Sequence, residues 1–209
     1  MILYVDASAG VSGDMLLAAM RDLGLPAGKV RQSLRRLGSG APRIAGDLIR
    51  WIQASRLEPS IKKNVLRVWM LLARAEAQAH RCSWTQVHFH QLSRPEAMKN
   101  VVGFCVGLAH FRIRRVTTGV IPIGNLWRDH SGRLRREPGP TASRLLERLP
   151  VKRSPVPFEW TTPTGAALLA AFASVRSVPF RVVRLGHAVG RLKSPGARRS
   201  LRLILGREL

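Results

Sequence analysis

Two imidazoles stand one residue apart in Val87-His88-Phe89-His90-Gln91, in a chain with six histidines among 209 residues. In an extended segment side chains alternate faces, so His88 and His90 would point one way and Phe89 the other. Two imidazoles on one face can bind a first-row metal or transfer protons, and structural or surface histidines are the competing reading. Near the N-terminus, Asp6 is followed by the small-residue run Ala7 to Gly13 and then Asp14. Such a loop lets backbone N–H groups at Gly10, Ser12 and Gly13 approach an anion, while Asp6 and Asp14 could hold a cation or a hydroxyl. The spacing is neither a Walker loop nor G-x-G-x-x-G, so a plain turn capped by Ser12 stands beside that reading. A third group is Thr161-Thr162-Pro163-Thr164-Gly165, whose hydroxyls and free N–H groups could hold an anion or simply cap a helix. Glu76, the only acid on the last two turns of a long helical pattern and close to His80, is a candidate for acid–base work. The alternative for Glu76 is an ion pair with a neighbouring arginine.

The elements that would position these groups can be read from apolar spacing. Ile2 to Val5 is a β-prone run, and Met15, Leu16, Ala19 and Met20 recur at helical spacing until Gly24 and Pro26 stop them. A second short helix runs from Ala27 to about Leu37, and Asp47 could N-cap a third. Ile61, Val65, Val68, Trp69, Leu72 and Ala75 form one wide stripe with Arg67 and Arg74 off it, predicting a core helix with a basic outer face. Ser93-Arg94-Pro95-Glu96 is a capping-box pattern opening a helix that is apolar nearly all round. Val116 to Ile123 reads as a strand and Gly124 to Pro140 as a long functional or disordered loop carrying Asp129 and His130. Thr162 with Pro163 opens another helix, and two β-prone runs, Arg181 to Val189 and Ser200 to Leu205, flank the basic turn Arg191 to Arg199. The expected fold is mixed α/β (α+β), a single compact domain with a central sheet and packed helices, those near Ile61 and Ser93 lying on it.

Thirty-five Lys and Arg against twelve Asp and Glu give a formal charge of +23. That field attracts nucleotides, phosphates, nucleic acid or an acidic partner, unless the charges are simply solvated. No aromatic interleaving accompanies the arginines, so nucleic acid is the less favoured partner. Cys82 and Cys105 form no C-x-x-C and suggest a reducing, cytoplasmic setting. The first residues reach Asp6 without a signal-peptide pattern, and no apolar run is long enough to cross a bilayer.

Several of these pieces, in one order, resemble the nickel insertion protein (LarC) family, which completes the nickel-pincer nucleotide cofactor of lactate racemase. Asp6, Gly10, Ser12, Gly13, Asp14 and Met15 match its N-terminal pattern. Ala75-Glu76-Ala77-Gln78-Ala79-His80, Val87-His88-Phe89-His90, Ile121-Pro122-Ile123-Gly124, then Pro138, Pro140 and Thr141, and finally Thr162-Pro163-Thr164-Gly165-Ala166-Ala167 match further on. The resemblance implies a protein that joins Ni(II) to a pyridinium dithiocarboxylate mononucleotide, with a nucleoside triphosphate and divalent metal as cofactor. It implies His88, His90 and Asp6 as metal ligands and Asp14 and Glu76 as catalytic acids. It implies nucleotide contacts from Gly10, Ser12, Gly13, Thr162, Thr164 and Gly165, and a possible homo-oligomer. Where the family has acids this chain has Gln91 and Asn100, and the family's His-rich insert and glycine-tyrosine-glycine (here Gly186-His187-Ala188) are missing. The chain is expected to correspond to the family's N-terminal region, with a possible subdivision at 1–54 and 61–209 and without the C-terminal domain. The alternative reading is a non-catalytic protein whose arginine surface holds RNA or an acidic partner.

Overall fold

The computed structural model describes residues 1–89, 95–128, 131–176, 178–190 and 199–209. Strand β1 (Ile2–Asp6) lies in the middle of a five-stranded sheet whose order is β7 (Ala173–Ser174), β2 (Arg115–Thr118), β1, β9 (Ser200–Glu208) and β8 (Phe180–Val189). β1 runs parallel to β2, and β2 parallel to β7, while β9 is antiparallel to both β1 and β8. Leu3 and Val5 are fully buried in the core, while Tyr4 and Asp6, which alternate with them, are only partly buried, so the strand turns one face to the helices. The fold is therefore the mixed α/β arrangement that the sequence predicts.

Helix α1 (Gly13–Asp22) rests on β8 and β9, with Met15, Leu16, Ala19 and Met20 buried. Gly186 of β8 lies against the Ala19 carbonyl and Leu23, where a Cβ has no room, so α1 and the sheet approach closely. Helix α7 (Pro163–Phe172) lies on β2 and β7. Helix α4 (Pro59–His80) packs on α7 and on α3 (Ala45–Ala54), α5 (Pro95–His110) and α6 (Pro140–Leu146); α5 packs on α1 and α2 (Ala27–Leu37). α4 and α5 thus form a second layer, outside α1 and α7, instead of lying directly on the sheet. The reason is legible in α5: a helix apolar on every side needs covering on every side, and other helices supply it. α5 begins at Pro95, and the predicted capping residues Ser93 and Arg94 lie outside the described residues.

The run from Val116 to Ile123 divides instead of forming one strand. β2 stays in the main sheet, and β3 (Ile121–Ile123) leaves it to pair with β6 (Val151–Arg153). The break falls at Gly119, where a Cβ would come within 2.7 Å of the Tyr4 hydroxyl. The predicted loop from Gly124 to Pro140 contains a small antiparallel hairpin, β4 (Leu126–Arg128) with β5 (Leu134–Arg136). Asp129 and His130 lie outside the described residues. One buried cluster extends from Leu3 and Val5 through the helices to Leu203 and Leu205. No helix among the described residues is long and apolar enough to cross a membrane.

Candidate functional site

The start of α1 and the start of α7, far apart in sequence, are joined through backbone. Val11 donates its N–H to the Trp160 carbonyl at 2.9 Å, and Thr162 donates to the Val11 carbonyl at 3.1 Å, forming an isolated parallel bridge between Val11 and Thr161. Glycines permit the approach: a Cβ on Gly165 would lie 2.6 Å from the Val11 carbonyl, and one on Gly13 2.7 Å from Thr164 Cγ2. Gly10 has φ +99°, a left-handed conformation open to glycine, and a Cβ there would be 2.7 Å from the Trp160 carbonyl. All six predicted nucleotide-contacting residues and Asp14 are therefore brought together at one mouth, with the positive ends of two helices side by side.

The mouth is tightly built. Gly10, Ser12, Gly13, Thr164 and Gly165 are buried, whereas Asp14 and Thr162 are half-exposed. Ser12 stands at the N-cap position, but its hydroxyl donates to the Asp14 carboxylate at 2.5 Å instead of capping the helix. Thr162 does cap α7, its hydroxyl accepting from the Gly165 N–H at 3.2 Å. The glycines thus have a packing role, and Asp14 and Thr162 are the side chains that reach the open edge. Asn100 of α5 backs onto the same place, its Cβ lying 3.1 Å from where a Gly13 Cβ would stand.

Behind the mouth lies a charged cluster that sequence reading did not find. Arg199 is 3% exposed, stacks over the Phe158 ring at 4.9 Å, donates to the Glu159 carbonyl at 2.9 Å, and has a buried Nε without a hydrogen-bond partner among the described residues. Burial lowers its pKa, opposed by the charges of Glu159, Asp14 and Glu137. Glu137 is buried and accepts N–H groups from Gly124 and, at 3.1 Å, from Thr161. Burial pushes its carboxyl up to about 8, against the Thr161 N–H and Arg199, with the Glu159 charge adding to the rise. Burial likewise raises Glu159, with Arg199 opposing. The available signals were faint: Glu137 is an acid among Arg133, Arg135 and Arg136 just before Pro138, and Glu159 shortly precedes Thr162-Pro163. Arg199 had none, being one more arginine in a basic turn.

The predicted metal ligands fare differently. Val87 and Phe89 are buried, and Phe89 meets Trp69 edge-on at 5.4 Å, so the stretch alternates faces as expected. The histidine takes the other side: His88 is exposed and forms an isolated antiparallel bridge with Ile44. The core takes the larger apolar ring, and His88 stands on the exposed side of the segment. His90 lies outside the described residues. Asp6 is held by Arg202, whose Nε and Nη2 reach one carboxylate oxygen at 2.9 and 2.6 Å, and it also accepts from Ser8 N–H at 3.2 Å. Burial alone would raise the Asp6 pKa, but the Ser8 and Arg202 hydrogen bonds hold it below the usual value. Glu76 pairs with His80 at 3.2 Å one turn away. Among the described residues no group of three or more His, Cys, Asp or Glu is arranged to hold a metal ion.

A family profile described as nickel insertion protein matches residues 3–45 and 39–209. The chain belongs to the nickel insertion protein family. A protein of Syntrophobacter fumaroxidans, provisionally named for nickel insertion, is 35% identical over 97% of this chain and 60% of its own length. A similarly named protein of Synechococcus sp. strain JA-3-3Ab is 33% identical over 93% of the chain and 57% of its own length. The pyridinium-3,5-bisthiocarboxylic acid mononucleotide nickel insertion protein of Clostridium kluyveri is 27% identical over 99% and 62%. The chain therefore spans less than two thirds of the length of these relatives. No solved structure matches it.

Proposed function

We propose that this chain takes part in inserting nickel into an organic mononucleotide, the kind of substrate named for its Clostridium relative. The observation that carries the reading is the mouth: in a member of this family, two helix N-termini are bonded together at the residues that family resemblance selects. Their partial positive charge suits the single phosphate of a mononucleotide. Ni(II) is the substrate metal, and imidazole is a suitable ligand for it, so His88 and His90 are assigned its delivery. The family resemblance implies a nickel–carbon bond; forming it on a pyridinium ring carbon displaces the hydrogen there as a proton, and a base must take it. Asp14 is the half-exposed carboxylate at the mouth and is assigned that part, with Ser12 donating to it. Glu137, pushed up to about 8, holds its proton at neutral pH and is not the base. Glu76, engaged by His80, is assigned no more than a supporting role.

A nucleoside triphosphate with its divalent metal is what the family resemblance implies as cofactor, and among the described residues no group of three or more His, Cys, Asp or Glu is arranged to hold that metal. The test is calorimetry with the pyridinium dithiocarboxylate mononucleotide and with Ni(II), separately. Asp14→Asn should preserve mononucleotide binding and stop formation of the nickel–carbon product, read by its absorbance. His88→Ala with His90→Ala should lose Ni(II) binding. Unchanged Ni(II) binding in that double variant would remove the histidines from the proposal, and unchanged product formation by Asp14→Asn would remove the base.

A further inference from the structure

Away from the mouth, at the opposite end of α7, two cavities of about 730 and 620 Å³ lie end to end along the outer face of α4 and meet at Arg67. The α4 residues lining them, Ser60, Asn64, Arg67, Leu71, Arg74 and Gln78, recur every three or four positions and so form one stripe. From Ser60 to Gln78 that stripe is about 27 Å long at 1.5 Å per residue. Arg74, Arg144 and Arg148 rim one half with Arg67, and Arg112 and Arg114 rim the other. Among the described residues Glu147 is the single carboxylate lining either half, and Arg144 engages it at 2.8 Å. The floor is aliphatic: Met70, Leu71, Leu145 and Leu149 in one half, Leu108 and Ile113 in the other.

We propose that this furrow is the docking site for an acidic amphipathic helix of a partner protein. Six arginines and a single carboxylate among the described lining residues give the furrow a strong positive rim over an apolar floor, a pattern that an acidic partner with an apolar face complements. A small anion would need one or two of the six arginines, whereas their spread matches several turns of helix. Carboxylates along the helix flanks complement the rim, and apolar side chains at i, i+3/i+4 and i+7 complement the floor. Single-stranded nucleic acid would want open aromatic faces for its bases. Among the described residues Phe172 is the one aromatic side chain lining the furrow, and Arg67 already lies 5.7 Å over it.

The test uses the whole protein and three labelled probes in fluorescence anisotropy at about 0.15 M salt. They are a peptide of about 18 residues with Leu and Glu at helical spacing, a scramble of the same composition, and an oligouridylate of equal charge. The ordered peptide should bind about tenfold more tightly than either other probe, since only it meets both floor and rim. Arg74→Glu with Arg148→Glu should weaken it by about tenfold, and Arg112→Glu with Arg114→Glu at the far end should do so independently. Arg181→Glu with Arg207→Glu makes the same change in net charge at the other edge of the sheet and should leave binding within about twofold. Equal binding of the ordered and scrambled peptides, tighter binding of the RNA, no binding at all, or equal weakening by all three variant pairs would overturn the assignment.

Discussion

Arg199 and the arginines along α4 carry the same charge in opposite surroundings. Arg199 is buried beside an aromatic ring and three carboxylates, and it links the residues before Thr162 to the loop at Gly10. Arg67, Arg74, Arg144 and Arg148 stand exposed around an apolar floor, with one carboxylate among them. A buried cation must be compensated within the protein, and one that faces water can be compensated by a partner. The +23 formal charge is therefore not one property: part of it holds the mouth together, and part is available to bind.

The sharpest way to break this comparison is to remove one arginine from each place. Arg199→Met should cost about 3 kcal/mol in denaturant unfolding, since it strands the Glu159 carboxylate without its buried counter-charge and removes the stack on Phe158. Arg74→Met should stay within about 0.5 kcal/mol, as exposed substitutions do. Equal losses would mean that the two regions do not differ as described. Gly165→Val should come next, at about 2 kcal/mol, because its side chain would meet the Val11 carbonyl and the bridge between the helix starts would have to open. If it melts with the parent protein, the close approach is not holding the mouth.

A pH series sharpens the same point. Glu137 has its pKa raised by burial from 4.5 to about 8. Between those values the unfolded chain has lost this proton and the folded chain still holds it, so stability falls as pH rises through that window. The slope should be at most about 1.4 kcal/mol per pH unit, and Glu137→Gln should flatten it even though it lowers the starting stability. Thermal melts at intervals from pH 5 to 8 would show it; a slope unchanged in Glu137→Gln would assign the effect elsewhere.

Sequence reading recovers what is local. β1, the stripe of α4, and the Thr162 cap with Pro163 are all written within a few residues, and each forms where the spacing predicts it. The meeting of Gly10 to Asp14 with Thr162 to Gly165 was legible, because two helix starts able to approach one anion are expected to face each other, but the bridge that joins them, with no histidine between, was not. The bond that joins them spans the whole middle of the chain. The alternation of His88 and Phe89 was legible, but not which face the core would take, because that is decided by Ile44, Arg43 and Trp69 from other elements. The Arg199 cluster escaped for the same reason: its members come from three separate loops, and nothing in the basic turn sets this arginine apart from its neighbours. The single strand expected from Val116 to Ile123 failed on one residue, Gly119, whose missing side chain makes room for the Tyr4 hydroxyl.

The smallest expected effect on stability bears most directly on nickel. Asp6 is the predicted ligand whose carboxylate is already held by an arginine, and Arg202 is half-exposed, with 56% of its side chain accessible. Such a pair contributes at most about 1 kcal/mol, present above the ordinary carboxylate pKa and lost as pH falls through the lowered folded value. Arg202→Ala should therefore leave the fold almost unchanged while raising the Asp6 pKa toward its ordinary value, a shift that NMR titration of the carboxyl would read. It also removes the cation nearest the carboxylate, which both competes with a metal for the oxygens and repels it. If Asp6 serves Ni(II), calorimetry at neutral pH should find tighter binding in Arg202→Ala than in the parent, and Asp6→Asn should cancel the gain. Equal Ni(II) affinity in Arg202→Ala and in the variant carrying both changes would leave Asp6 as the partner of Arg202 alone, an exposed counterpart to the buried pairing at Arg199.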